Sequence, residues 1–515
     1  MNNIENKTNQ DPLKKRYFYK LFSGLGGYAI GLITAGIIPR GLGPKNFGDF
    51  NFLSSFFSQI VNFLDMGSST AFYTKLSQRQ KEPTLISFYS YFVIVVAVLL
   101  LVFVAFVRLF SFHTKLWPDQ DLSFVYLAVF WAVLNWVITI LNQVTDAFGL
   151  TVSAETTKIY QKILSVFMIL VLYYYKRITL LNFFLYQYIL FIFLFVVFNY
   201  FIVHNGYLSG KAWKLTITAI KKYIREFISY CHPLLTYSVI GLIVGLFDRW
   251  ILQFYGGSIQ QGFYGFSYQI GAMCFIFTGS MTVLLTREFS IAFNAKNLEQ
   301  MKTLFRRYIP LLYSITAYFS CFAALQANKL IYIFGGNKYQ SAILPVTIMV
   351  FYPIHQTYGQ LSNAVFMATG QTKLYSKIGI IFTLIGLPIT YFLIAPHGKM
   401  GLQAGATGLA IKMVFTQFIA VNTYLYFNAK FLKFSYWRYL GHQIVSIACL
   451  LLIAFVATFA IDRVLFLGKI LNFITAGFIY TLIVAALIFW FPICFGLKKQ
   501  DIQSFIYKIK EYRKT

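Results

Sequence analysis

The chain of 515 residues is 58% hydrophobic and only 12% charged, with a mean hydropathy of +0.65 and a formal net charge of +28. That is far more apolar than a soluble globular chain of this size, which excludes a water-soluble enzyme or nucleic-acid-binding protein. The five cysteines, Cys231, Cys274, Cys321, Cys449 and Cys494, lie far apart within apolar runs, and their spacing is neither that of a disulfide framework nor that of a metal centre.

Apolar runs of about twenty residues, each able to cross a bilayer as a helix, occur at roughly 17–38, 47–71, 86–110, 122–149, 159–175 and 180–203. They continue at roughly 227–254, 262–286, 304–334, 341–369, 376–395 and 401–427, and end at 441–461 and 469–495. None shows the period-two alternation of a barrel strand, so the backbone has to satisfy itself within helices. The expected fold is an all-α polytopic membrane protein with about 14 transmembrane helices. Two six-helix bundles with pseudo-symmetry, at 17–205 and 227–427, are followed by two C-terminal helices at 441–495. With the N-terminus in the cytoplasm and strict alternation of sides, most of the 44 Lys and Arg residues fall inside, among them Lys14, Lys15, Arg16, Lys75, Arg79 and the tail at 497–515. Both termini are then cytoplasmic. The basic balance reports topology, and no nucleic-acid partner is expected.

Residues 1–16 form a polar, basic tail, and the first span, lacking an evident small-residue cleavage site, reads as an uncleaved membrane helix. That span carries Lys20, Gly24, Gly27, Gly31 and Thr34 on one face, a small-residue stripe against which another helix packs closely. Lys20 either snorkels to the inner surface or joins a binding site. After the turn Pro39-Arg40-Gly41-Leu42-Gly43-Pro44, the second span places Asn51, Ser55, Ser58, Asn62, Asp65 and Ser69 on one helical face. An ionisable residue facing hydrocarbon costs roughly 2.5–3.5 kcal/mol, so Asp65 should look into protein or water, and this helix should line an aqueous cavity. The fourth span repeats the pattern with Asn135, Thr139, Asn142, Asp146 and Gly149. Glu155, Lys158, Lys162 and Ser165 then share one face, as either an interfacial ion-pair network or a substrate contact.

The connection at 206–226 puts Trp213, Ile217, Ile220 and Ile224 on one face and Lys211, Lys214, Lys221, Lys222 and Arg225 on the other. It reads as an amphipathic linker helix lying on an anionic inner leaflet. The seventh span aligns Ser238, Gly241, Gly245 and Asp248, with Arg249 next to it, before a glycine-rich turn. A faint internal repeat pairs Phe47-Gly48 with Tyr264-Gly265. The tenth span carries Gln356, Gln360 and Asn363 on one face, and the twelfth holds Lys412 about midway, the most deeply placed cation in this segmentation. Lys412 is either a substrate or coupling residue or the structural partner of a carboxylate.

The chain has no GxxxxGK[ST] loop and no HExxH pair, and its loops are too short to hold a soluble catalytic domain, so transport explains the layout better than catalysis. Asn, Ser, Thr and Gln in the wet seams suit sugars better than cationic drugs.

Arg40-Gly41-Leu42-Gly43-Pro44 with Phe47-Gly48 and Phe50, and Asp65 with Gly67 one span later, give the chain a family likeness. So do Asp248-Arg249, Tyr264-Gly265 and Ala368-Thr369-Gly370-Gln371-Thr372-Lys373. It resembles the polysaccharide flippases of the multidrug/oligosaccharidyl-lipid/polysaccharide exporter superfamily, in particular the O-antigen (Wzx-type) repeat-unit flippases. The resemblance implies alternating-access translocation of an undecaprenyl-diphosphate-linked oligosaccharide from the inner to the outer leaflet of a bacterial cytoplasmic membrane. Membrane lipids, a polysaccharide polymerase and a chain-length regulator are the further partners it implies. No cofactor is expected beyond coupling to a proton or sodium gradient. On this reading the cavity is built from Lys20, Arg40, Asn62, Asp65, Asn142, Asp146, Asp248, Arg249, Gln360 and Lys412. The cations are candidates for the diphosphate, and the carboxylates carry coupling ions or hold the cations in place. The alternatives are a drug/cation antiporter of the same fold and a membrane polysaccharide polymerase.

Overall fold

The computed structural model describes residues 13–79, 82–207, 215–232, 235–275, 279–464 and 468–497. Most of the two expected tails, together with Lys211, Trp213 and Lys214 of the linker, lies outside the described residues. Among the described residues there is no β-strand, and eleven helices are long and apolar enough to cross a membrane. The chain is a multi-pass, all-α membrane protein that divides into two compact units, Met1–Gly262 and Phe263–Thr515.

The first unit opens with α1 (Leu13–Asp65), which is two helical segments meeting at Gly43. Gly43 has φ 72° and ψ 170°, a region open to glycine, and Pro44 starts the next segment where its missing N–H costs nothing. Then come α2 (Ser68–Gln78), α3 (Pro83–Leu109), the single turn α4 (His113–Leu116), α5 (Leu122–Ala147), α6 (Thr151–Tyr174), α7 (Leu180–His204) and α8 (Ile217–Cys231). The last element, α9 (Leu235–Met273), is again split by a glycine, Gly257 at φ 69°, and the division between the units falls within it. Phe52, Phe56, Phe57 and Trp117 form a buried aromatic core, while Ile94, Val98 and Val102 of α3 stand exposed on a lipid-facing side.

The second unit contains α10 (Gly279–Asn294), α11 (Leu298–Leu325), α12 (Ala327–Phe334), α13 (Ile343–Met349), α14 (Tyr352–Ala368) and α15 (Thr372–Ile394). It ends with α16 (Gly405–Leu432), α17 (Tyr436–Val464) and α18 (Lys469–Trp490). Its core gathers Phe305, Tyr313, Tyr358 and Leu450.

The count of fourteen spans is not reproduced by length and apolarity, for local reasons. α1 and α9 each join two helical segments across a glycine, and the run at 341–369 is cut into α13 and α14, with Pro353 at the start of the latter. Nor does the second span continue to residue 71. Met66 (φ 46°) and Gly67 (φ 80°) break it after Asp65, so Ser69 belongs to α2 and leaves the seam expected on α1.

The internal repeat has a different register from the one read in the sequence. A Cβ on Gly48 would lie 1.7 Å from the Ser258 carbonyl oxygen, and one on Gly262 would lie 2.0 Å from that of Pro44. Gly43, Pro44 and Gly48 therefore correspond to Gly257, Ser258 and Gly262. The equivalent of Gly48 is Gly262, three residues before Gly265.

The described part of the linker is an amphipathic helix whose placement is fixed by one side of α8. Tyr223 and Phe227 are buried against Phe88 and Tyr89 of α3. Glu226 accepts from Lys75 Nζ at 2.8 Å and pairs with Arg79 at 3.3 Å, while the Tyr223 hydroxyl donates to Glu82 at 2.6 Å. Ile217, Ile224 and Ile228 remain exposed, as a stripe lying on a membrane surface requires.

Candidate functional site

Asp65 sits at the break between α1 and α2, where the helix ends and its carboxylate turns back onto the next one. It accepts from the Ser69 backbone N–H at 2.9 Å, from the Ser68 and Ser69 hydroxyls at 2.8 Å each, and from the Tyr89 hydroxyl at 3.1 Å. The Ser69 N–H is one of the orphan donors at the start of α2, and satisfying it contributes about 1 kcal/mol. Tyr89 is buried and stacks on Phe72, so Asp65 ties α1, α2 and α3 together. One turn earlier Asn62 is exposed.

α5 packs against the second half of α1 and carries the other expected seam. Asn135 and Thr139 are exposed, and Asn142 and Asp146 are half-buried. Asn142 Oδ1 and Gln143 Oε1 are buried without a hydrogen-bond partner among the described residues. Few buried polar groups in a folded protein are left in this state.

Arg40 is half-buried just before the Gly43 break. Arg249 donates to Gln261 Oε1 at 3.2 Å, and Gln261 Nε2 donates to the Arg249 carbonyl, so this cation braces the two segments of α9. Asp248 beside it is half-buried. Near the same glycine breaks, the buried Asp49 accepts from Gln120 Nε2 at 2.7 Å, and Gln120 also donates to Ser258 at 3.2 Å. A cleft of about 1010 Å³ opens here, lined by Lys45, His113, Asp119, Gln120, Asp121 and Ser258.

In the second unit Lys412 is buried, 5% exposed, in the eighth position of α16. Its stem lies over Gly386 of α15, where a Cβ would come within 2.9 Å of Cε and 3.3 Å of Nζ. Gln360 is half-buried on α14, and its neighbour Gln356 accepts from Gln417 at 2.5 Å. The side chain of Lys20 lies outside the described residues. The structure thus brings Asp65 together with Tyr89, and Arg249 together with Gln261, and it sets the α1 and α5 seams on packed helices of one unit.

One membrane-embedded group escapes the sequence segmentation. The polar stretch 151–158 suggests a span beginning at 159, with Lys158 and Lys162 at its inner edge. Instead α6 starts at Thr151, so Lys162 is the twelfth of its 24 residues, about 18 Å from either end. The first segment of α1 runs alongside, with the Ser23 hydroxyl donating to the Glu155 carbonyl at 3.4 Å. The small-residue stripe lets α6 pack closely, as expected, and at Gly27 the part of α6 that comes nearest is a lysine tip. A Cβ on Gly27 would lie 1.6 Å from Lys162 Nζ. Glu155 is buried and accepts from Lys158 Nζ at 2.8 Å. The signal in the sequence was the Glu155/Lys158/Lys162 ladder sharing helical periodicity with the apolar run that follows it.

Comparison with known proteins bears on the whole chain. The sequence profile described as polysaccharide biosynthesis protein matches residues 13–286. No curated protein matches the sequence. Among solved structures, the lipid II flippase MurJ in an inward closed conformation aligns with a TM-score of 0.62 at 14% identity, covering 92% of this chain and 98% of its own. An inward-facing multidrug resistance MATE family transporter of the MOP superfamily aligns with a TM-score of 0.58 at 14% identity, covering 81% and 94%. A MOP superfamily transporter from Pyrococcus furiosus, described by the reverse polarity of its binding pocket, aligns with a TM-score of 0.53 at 14% identity, covering 82% and 97%. At such identities the likeness establishes the fold, while the profile match over more than half of the sequence establishes the family. The chain has the MOP-superfamily transporter fold and belongs to the polysaccharide biosynthesis protein family.

Proposed function

We propose that this protein is a flippase that carries an undecaprenyl-diphosphate-linked oligosaccharide, an O-antigen or similar repeat unit, from the inner to the outer leaflet of the bacterial cytoplasmic membrane by alternating access. The supporting observation is the pair of polar seams on packed helices, Asn62 and Asp65 on α1 and Asn142 and Asp146 on α5, within a family of polysaccharide biosynthesis. Buried amide oxygens without partners suit sugar hydroxyls, because each hydroxyl both donates and accepts. The lipid tail stays in hydrocarbon while the head crosses through groups that replace water. Energy would come from a proton or sodium gradient, and a polymerase and chain-length regulator would take the product. A drug or cation antiporter shares the fold, but the membrane-embedded lysines Lys162 and Lys412 repel a cationic substrate.

Deletion of the gene tests the reading in cells. Single lipid-linked units held on the cytoplasmic face, with polysaccharide missing from the surface, support it. Single unpolymerised units at the surface would mark a polymerase, and an unchanged surface would point to small-molecule export.

A further inference from the structure

We infer that the cleft of the first unit between α4 and the glycine break of α9 is a subsite for the sugar chain of the transported molecule, with the Asp119 and Asp121 carboxylates accepting from its hydroxyls. The inference rests on the flippase reading and deepens it: the site takes a neutral, hydroxyl-rich oligosaccharide without its lipid. α3 runs for 27 residues, about 40 Å, from the α8 clamp at its start to the cleft at its end. On the expected topology the cleft is therefore on the face where the sugar emerges.

Three observations carry it. The first is room. The cleft holds about 1010 Å³, at the upper end of the range of small-molecule sites, and lies wholly within the first unit. A Cβ on Gly257, in its wall, would meet nothing beyond its chain neighbours but Asp119 Oδ2, at 3.9 Å, so the wall there is bare backbone. The second is that the turn carrying the carboxylates is fixed while the carboxylates are free. Trp117 is buried against Phe56, Phe57 and Phe103, Trp250 Nε1 donates to the Lys115 carbonyl at 2.8 Å, and Gln253 Nε2 donates to the Pro118 carbonyl at 3.0 Å. Gln120, between the two carboxylates, is held by Asp49 and Ser258. Asp119 and Asp121 stand exposed, and among the described residues their carboxylates make no hydrogen bond or ion pair. Acceptors held in place in this way bind at little ordering cost.

The third observation is in the wall itself. Trp117, 1% exposed, leaves its Nε1 without a hydrogen-bond partner among the described residues, His113 leaves its Nδ1 in the same state, and both side chains line the cleft. Few buried polar groups in a folded protein are left so. An indole N–H only donates, and a sugar hydroxyl, which both donates and accepts, serves it and the carboxylates alike. The balance of charge selects a neutral ligand. Two free carboxylates share the wall with one ammonium, Lys45, and the starts of α5 and of the second segment of α9 lie beside them, offsetting part of the negative charge. The carboxylates repel a diphosphate, while a hydroxyl donating to a carboxylate makes a charge-assisted bond about twice as strong as a neutral one. Among the described residues no group of three or more His, Cys, Asp or Glu is placed to hold a metal ion, which argues against a cation site.

The test uses the full-length protein in lipid nanodiscs. The probe is the oligosaccharide released by mild acid from the cell's own lipid-linked pool, labelled with a fluorophore at its reducing end and added in the presence of EDTA. The double variant Asp119→Asn/Asp121→Asn is expected to weaken binding about tenfold or more, as loss of charge-assisted contacts does. Glu299→Gln, which removes an exposed carboxylate of the second unit, should stay within about twofold. If the double variant does not accumulate, the two single variants carry the comparison, each with an expected loss of about threefold. Wild-type binding that the double variant leaves within twofold would overturn the subsite. So would binding that appears only when calcium or magnesium replaces EDTA, since the carboxylates would then be a cation site. Transfer of the intact lipid-linked unit between the leaflets of proteoliposomes scores the flippase reading separately. Transfer without binding of the lipid-free probe would overturn the subsite and spare the flippase; neither transfer nor binding would overturn both.

Discussion

Gly48 and Gly262 hold two helical segments together by the same contact made in opposite directions, each receiving the carbonyl oxygen of the residue that follows the partner segment's glycine break. Those oxygens, of Ser258 and Pro44, would lie 1.7 Å and 2.0 Å from a newly added Cβ, and both belong to backbone that cannot swing aside. Gly48→Ala and Gly262→Ala should each destabilise the protein by about 1–3 kcal/mol, read as a lower thermal midpoint of the purified protein. Gly31→Ala, whose Cβ meets open space in a helix, should be neutral or stabilise by up to about 1 kcal/mol.

Asp65→Ala removes the α2 cap and leaves the buried Tyr89 hydroxyl with one partner fewer. The expected loss is about 1–3 kcal/mol of stability, with Asp65→Asn keeping most of the acceptor geometry. Thermal unfolding of the two variants separates the structural part of this residue from any transport defect: a midpoint for Asp65→Ala equal to wild type would contradict the capping role.

Lys412→Ala is expected to abolish transport while the protein inserts at normal abundance. Gly386→Ala should have a milder effect, because the atoms it meets are the flexible end of the Lys412 side chain. Transport measured against membrane abundance for the two variants checks this order. Full activity in Lys412→Ala would remove the residue from the site.

The α8 clamp should respond to acid. Lys75 donating to Glu226, with Arg79 alongside, holds the Glu226 carboxyl below its usual range against the opposing effect of burial. A depressed carboxyl stabilises the fold above the unfolded value of about 4.3, and that contribution is lost as pH falls through the folded value. With 22% of the Glu226 side chain exposed, the pair is worth no more than about 1 kcal/mol. Hydrogen exchange along 217–231 should therefore quicken modestly below about pH 4, beyond the intrinsic pH effect, and Glu226→Gln should remove that acid step.

The helical class, the glycine–proline break at Gly43 and Pro44, and the amphipathic character of the linker were legible because apolar run length and turn chemistry are local properties. The break at Met66 and Gly67 was not, since the polar period of α1 continues through it to Ser69 and masks the left-handed turn that ends the helix. The repeat register was hidden for another reason: the pairing of Gly48 with Gly262 is a backbone contact between segments far apart in sequence. Lys162 was visible as part of a helical ladder, but its depth depends on where α6 begins, and eight residues of polar sequence at 151–158 obscured that start.

The measurement closest to the central claim is translocation by the purified protein alone. Proteoliposomes loaded in one leaflet with a polyprenyl-diphosphate oligosaccharide, and probed from outside with an enzyme or lectin that cannot cross the membrane, report which leaflet holds the sugar. The account predicts protein-dependent transfer of the sugar between leaflets, lost in Lys412→Ala. Transfer no faster than in protein-free liposomes, with or without an imposed proton or sodium gradient, would contradict it.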